Sequence, residues 1–89
     1  MRYTWSEAKR QRNLRRHKLD FDLAPSVFEG LTYTYEDDRL AYGEQRFVTL
    51  GLLAARPVSI VHTETPHEIH IISFRKATRR EVAIYFNAI

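Results

Sequence analysis

From residue 31 the chain alternates. Leu31, Tyr33 and Tyr35 lie to one side of Thr32, Thr34 and Glu36, a period of two that predicts a strand over residues 31–36. Three further β-rich runs follow, residues 46–53, 58–64 and 68–75, and their short connections predict an antiparallel meander. Helical spacing governs both ends. Residues 2–5 alternate charged and aromatic side chains and predict a short strand, after which Ser6 is a cap for a helix running to about Lys18. Trp5, Lys9, Asn13 and His17 recur every four positions and share one face of it. Asp20 or Asp22 caps a second, shorter helix with Phe21, Ala24, Val27 and Phe28 inward, Pro25 in its first turn and Gly30 at its end. Thr78 and Glu81 form a Thr-x-x-Glu capping box, and Val82, Tyr85, Phe86 and Ile89 repeat at helical spacing behind it. The predicted fold class is α+β: a four-stranded antiparallel sheet packed against two N-terminal helices and a C-terminal helix.

Length makes residues 1–89 one domain, with no room for separate catalytic and regulatory units. There is no cysteine, which excludes disulfide frameworks, thiolate metal sites and cysteine nucleophiles. Residues 1–18 are charged throughout and no long apolar run follows, so neither a signal peptide nor a membrane span is expected and the protein reads as cytoplasmic. The net charge of +3 conceals a sharper pattern. Seven Lys or Arg against one Glu occupy residues 1–18, seven Asp or Glu against one Arg occupy residues 19–44, and the remainder is again basic. Basic ends of this kind attract a polyanion, whereas the acidic middle repels one.

No phosphate-binding loop, dinucleotide fingerprint or nucleophile elbow is present. His62, His67 and His70 lie within nine residues beside Glu64 and Glu68, but they fall on two strands and the turn between, a poor spacing for a metal. Phosphodiester chemistry is better supplied. Cleaving RNA through its own 2′-OH requires a proton acceptor, a proton donor and fixed cations around the phosphate. Arg46, Arg75, Arg79 and Arg80 offer planar donor forks, and His62 is a side chain able to exchange a proton near neutrality. On periodicity Tyr85 is a core residue. These residue types permit a ribonuclease and a catalytically silent RNA-binding module alike.

Order and spacing narrow the choice. Trp5-Ser-Glu-Ala-Lys9, Asn13, His17, then Phe21, Ala24, Val27 and Phe28; Gly43-Glu44-Gln45-Arg46; Val61-His62-Thr63; the run from Ile71 to Glu81; and Tyr85 together resemble the BrnT family of bacterial type II toxins. The resemblance runs nearly end to end. It implies a RelE-like toxin that degrades RNA without cofactor or metal and inhibits translation. Such a toxin is silenced by a BrnA-like antitoxin, a protein through which the pair also reaches operator DNA. It implies His62, Arg46, Arg75, Arg79, Tyr85 and Glu44 as catalytic candidates, with His62 the first choice for proton transfer and Glu44 the alternative base. Lys9, Arg12, Arg16, His17 and Arg80 are the expected substrate contacts. Four positions depart from the family pattern: Ser6 where an acid is usual, Lys18 where glycine is common, Phe74 where alanine is typical and His70 where arginine is frequent.

Overall fold

A serine and a threonine open the two long helices. Ser6 Oγ accepts from the Lys9 N–H to start α1 (Glu7–His17). Thr78 Oγ accepts from the Glu81 N–H while the Glu81 carboxylate accepts from the Thr78 N–H, the complete capping box that starts α3 (Arg79–Ala88). The computed structural model describes residues 1–89. Between these helices run a 3-10 turn capped by Asp20 (Phe21–Leu23), α2 (Ala24–Phe28) and the strands β2 (Tyr33–Glu36), β3 (Phe47–Leu53), β4 (Arg56–Glu64) and β5 (Glu68–Lys76); β1 (Arg2–Trp5) precedes them all. No helix is long and apolar enough to cross a membrane.

The sheet differs from expectation in one strand. It has five strands in the order β1-β5-β4-β3-β2, and β1 pairs with β5 in parallel, so the sheet is mixed rather than four-stranded and antiparallel. The connection permits it: a tight hairpin cannot join parallel neighbours, and α1 with the strands that follow supplies the crossover between β1 and β5. The second predicted helix is likewise split. The 3-10 turn occupies its first residues, and the remaining α2 is five residues long.

Two layers cover the two faces. On one, Phe21, Ala24 and Val27 pack on Val58, Ile60, Ile69, Ile71 and Phe74, flanked by Tyr3, Trp5 and Phe28. Gly51 permits the closest approach there, since a Cβ at that position would stand 2.7 Å from Val27 Cγ1. On the other face Tyr85 of α3 packs on Val48 and Leu50 with Ile84 beside it. Phe86 and Ile89, expected to face the sheet, are instead exposed, and Ile84 takes that place. The apolar contact of α3 is centred on β3, with Tyr35 of β2 and Val61 of β4 beside it.

A bulge in β5 sets which side chains reach which face. Pairing with β4 runs from Val58–Lys76 to Val61–Ser73 and resumes at His62–Ile71, leaving Ile72 without a partner. The extra residue turns Ile71 and Phe74, three apart, to the same core. Ser73 and Arg75 thereby stand on the opposite face, beside Val61 and Ser59.

Candidate functional site

β1 covers β5 only as far as Ile71, and beyond it the edge is closed by a side chain. Asn13 of α1, buried, donates from Nδ2 to the Phe74 carbonyl at 2.7 Å and accepts the Phe74 N–H at 3.0 Å. The amide thus pairs with β5 as another strand would. Its Nδ2 also donates to the Leu19 carbonyl at 2.9 Å, holding the chain where α1 ends. Arg10, on the same helix, clamps Asp20 with a two-pronged ion pair at 2.7 and 2.8 Å and reaches Glu7 as well. These contacts fix α1 alongside the bulge of β5.

The seam between them is a groove of about 510 Å³, lined by Lys9, Arg12, Asn13, Arg15, Arg16 and His17 from α1 and by Ile72 and Ser73 of β5. Four of the five predicted substrate contacts, Lys9, Arg12, Arg16 and His17, are brought together here. No carboxylate lines it. The groove continues around His17 into a smaller one lined by Lys18, Arg56 and Lys76. Arg56 and Lys76 escaped the sequence reading, because nothing in a β-hairpin's sequence shows that its open end lies beside the last turn of α1. His17 is half-buried, and its pKa is lowered by loss of solvent and by the charges of Arg16 and Arg75. A ring so placed stays neutral at pH 7 among cations.

Arg75 leaves β5 on the α3 side. Its guanidinium grips Glu81 at 2.8 and 3.0 Å, and Ser59 Oγ donates to the same carboxylate at 3.2 Å. Its Nε carries no protein partner. The Glu81 pKa is lowered: burial raises it, but the Arg75 fork and the Thr78 N–H outweigh burial. The sequence signalled Glu81 only as a helix cap. Arg75, Arg80 and Glu81 together line a second groove, of about 440 Å³, walled opposite by Glu36, Asp37 and Asp38, and Arg75 is not among the residues lining the α1–β5 groove. Arg79 is exposed at the start of α3 and lines neither groove.

The remaining candidates stand elsewhere. His62 lies fully inside the core, its Nε2 hydrogen-bonded to Thr49 Oγ1 at 2.7 Å, its ring stacked on Phe47 and met edge-on by Phe28. Burial pushes its pKa down to about 4, and its Nδ1 is buried without a hydrogen-bond partner. Such a ring neither meets a substrate nor carries a proton at neutral pH, so the first choice for proton transfer is not placed for it. Its alternation with Ile60 along β4 carries it inward. Tyr85 is also in the core, its hydroxyl donating to the Leu31 carbonyl at 2.7 Å. Arg46 stacks 4.1 Å over the Tyr42 ring and pairs with exposed Glu44 at 3.2 Å, in the loop region where Asp37 binds Arg39 and Tyr42. Neither Arg46 nor Glu44 lines the basic groove.

A basic seam without carboxylates, fed by one neutral histidine, is suited to a phosphodiester backbone. No curated protein matches the chain significantly. The family profile described as the ribonuclease toxin, BrnT, of type II toxin–antitoxin systems matches residues 5–81, which include every residue of the seam. The chain belongs to that BrnT family of ribonuclease toxins.

Proposed function

We propose that the protein cuts RNA in the α1–β5 groove without a metal ion, and that this cleavage inhibits translation in the bacterial cytoplasm. The observation that carries the proposal is His17, a neutral imidazole flanked by Arg16 and Arg75 at the end of a groove lined by Lys9, Arg12 and Arg15. Arginine forks hold a phosphate and stabilise the charge that builds on it during displacement. The neutral ring takes the proton of the ribose 2′-OH as that oxygen attacks phosphorus. The bond to the 5′-oxygen breaks, and that oxygen takes a proton from water at the groove mouth. The products are a 2′,3′-cyclic phosphate and a 5′-hydroxyl. Lys9, Arg12 and Arg16 act as backbone contacts, and Arg75, whose charge also acts on His17, is the clamp from the β5 side. The roles of Arg46, Glu44, Arg79 and Arg80 lie outside the groove, as contacts to flanking nucleotides or to the inhibitor.

Neutralisation follows from the same charges. A BrnA-like antitoxin that lays acidic side chains along the basic seam excludes RNA from it, and the pair reaches operator DNA through the antitoxin alone. Incubating the purified protein with RNA in EDTA tests the reading. Fragments ending in cyclic phosphate, lost on His17→Ala, support it. Cleavage that depends on an added divalent cation overturns the metal-free mechanism, and RNA binding without cleavage makes the chain a silent binding module.

A further inference from the structure

The sheet face left uncovered by α3 carries a second histidine whose protonation pattern can be worked out from its neighbours. Thr4 of β1 pairs with His70 of β5, and Thr4 Oγ1 lies 2.9 Å from His70 Nδ1 and 3.1 Å from Glu68 Oε2. Glu68 is held by Arg2 at 2.6 Å, and this ion pair with the Thr4 hydrogen bond keeps its pKa below the usual range. An ionised carboxylate only accepts. The Thr4 hydroxyl therefore donates to Glu68, and its oxygen has only a lone pair to offer His70. Nδ1 must then carry a hydrogen. In the neutral ring this leaves Nε2 as a bare acceptor, and Nε2 has no protein partner and is not buried.

His70 stands on the same sheet face as Ser73 of the groove. His70 and Ser73 stand on the side opposite the Ile71–Phe74 core, and a strand's rise puts them roughly 10 Å or less apart along β5. The cross-strand neighbour of His70 is Thr63, a half-buried hydroxyl that can donate or accept. A phosphate seated at Ser73 leaves an attached nucleobase within reach of this pair. It is too far for His70 to act on the same phosphate. Single-stranded RNA is read in this manner, by hydrogen bonds to splayed base edges and contact with flat side chains.

We infer that His70, its tautomer fixed by the Thr4–Glu68 relay, is a specificity residue that accepts a hydrogen bond from the exocyclic amino group of a nucleobase next to the cleavage site. Among the four RNA bases uracil alone lacks an amino group, and its one N–H, set back between two acceptor carbonyls, is a poorer match for a lone acceptor than a projecting amino group. Bases with an amino group are favoured over uracil. Thr4 is a positioning residue in this scheme, acting through the ring. The inference rests on the groove being the RNA seat and does not depend on cleavage.

The test uses 2′-O-methyl oligocytidylate and oligouridylate hexamers, which cannot be cut through the 2′-OH, with fluorescence anisotropy on the intact protein. The expected result is about three- to tenfold tighter binding of the cytidine hexamer, the range of a single net hydrogen bond. His70→Ala and Thr4→Val should each abolish that ratio, and Thr4→Ser should restore it. The imidazole 15N shifts should report the Nδ1-protonated tautomer in the wild type and a tautomer mixture in Thr4→Val. Equal affinities in the wild type, or a ratio untouched by either variant, overturn the inference. Cleavage in EDTA is scored separately, so a protein that cuts RNA with no base preference refutes the role of His70 alone.

Discussion

Glu81 binds Arg75 and the first turn of α3 with one carboxylate: Oε1 accepts both from the Arg75 guanidinium at 2.8 Å and from the Thr78 N–H at 2.8 Å. The helix cap and the Arg75 ion pair are therefore one unit. Arg75→Ala should lower stability by about 1 to 2 kcal/mol as well as weakening RNA cleavage, because it strips a mostly buried carboxylate of its main partner. Glu81→Ala should destabilise at least as much by removing the cap, whereas Arg79→Ala should leave Tm unchanged. Thermal melts of the three variants check this, and an unshifted Arg75→Ala melt would show that the pair contributes nothing to the fold.

Exposed cations of the groove should behave in the opposite way. Arg12→Ala and Arg16→Ala are expected to move stability by no more than about 0.5 kcal/mol. Each should flatten the slope of log affinity against log salt for single-stranded RNA by about 0.7 if its side chain neutralises one phosphate. Binding titrations at several salt concentrations measure this. An unchanged slope would reduce these arginines to partners of the α1 dipole.

His62 makes stability fall as the pH is lowered through a predictable window. Its pKa is about 4 in the folded protein and near 6.5 in the unfolded chain, so between those values the unfolded state binds more protons and acid favours it. The contribution is fully present above pH 6.5, is lost as pH falls through that window and levels off below pH 4. About 2 kcal/mol should disappear between pH 7.5 and 5. His17, also shifted down, adds in the same direction. Denaturant unfolding at the two pH values, repeated on His62→Leu, is the check. A variant with the same pH dependence would locate the effect elsewhere.

The β3–β4 hairpin carries two alanines in left-handed conformation, Ala54 with φ 49° and Ala55 with φ 66°. Left-handed backbone is unfavourable for alanine by roughly 1 to 2 kcal/mol per residue, and asparagine followed by glycine suits this two-residue turn. Replacing the pair with Asn-Gly should stabilise the protein by about 1 kcal/mol or more without altering RNA cleavage. Urea melts and a cleavage assay on the same preparation decide it. A fall in midpoint would mean that the turn relaxes in solution.

The elements legible in the sequence are those with a local cause. Ser6 and Thr78 mark helix starts, alternation marks β2 to β4, and the every-fourth spacing of Lys9, Asn13 and His17 put three residues of the seam on one helical face. What stayed hidden depends on distant partners. Nothing near Arg2–Trp5 reveals that its neighbour is β5, and nothing near Asn13 reveals that its amide completes a strand edge. His62 has a motif's setting but a core residue's environment, and only the inward phase of β4, fixed by Ile60 beside it, separates the two. Lys18 shows the converse. It holds α1's left-handed C-cap at φ 61°, the conformation that explains why glycine suits this position.

The seam joins residues 9–17 to residues 72 and 73, and they meet only when β1 pairs with β5. During synthesis the first helix leaves the ribosome long before its partner strand. A growing chain accordingly carries the cations but has no groove in which to align them, and Asn13 has no edge to bind. Assembly of the groove is deferred until β5, the fifth strand, has emerged, so the cations of α1 cannot act together on a ligand before the whole sheet is in place.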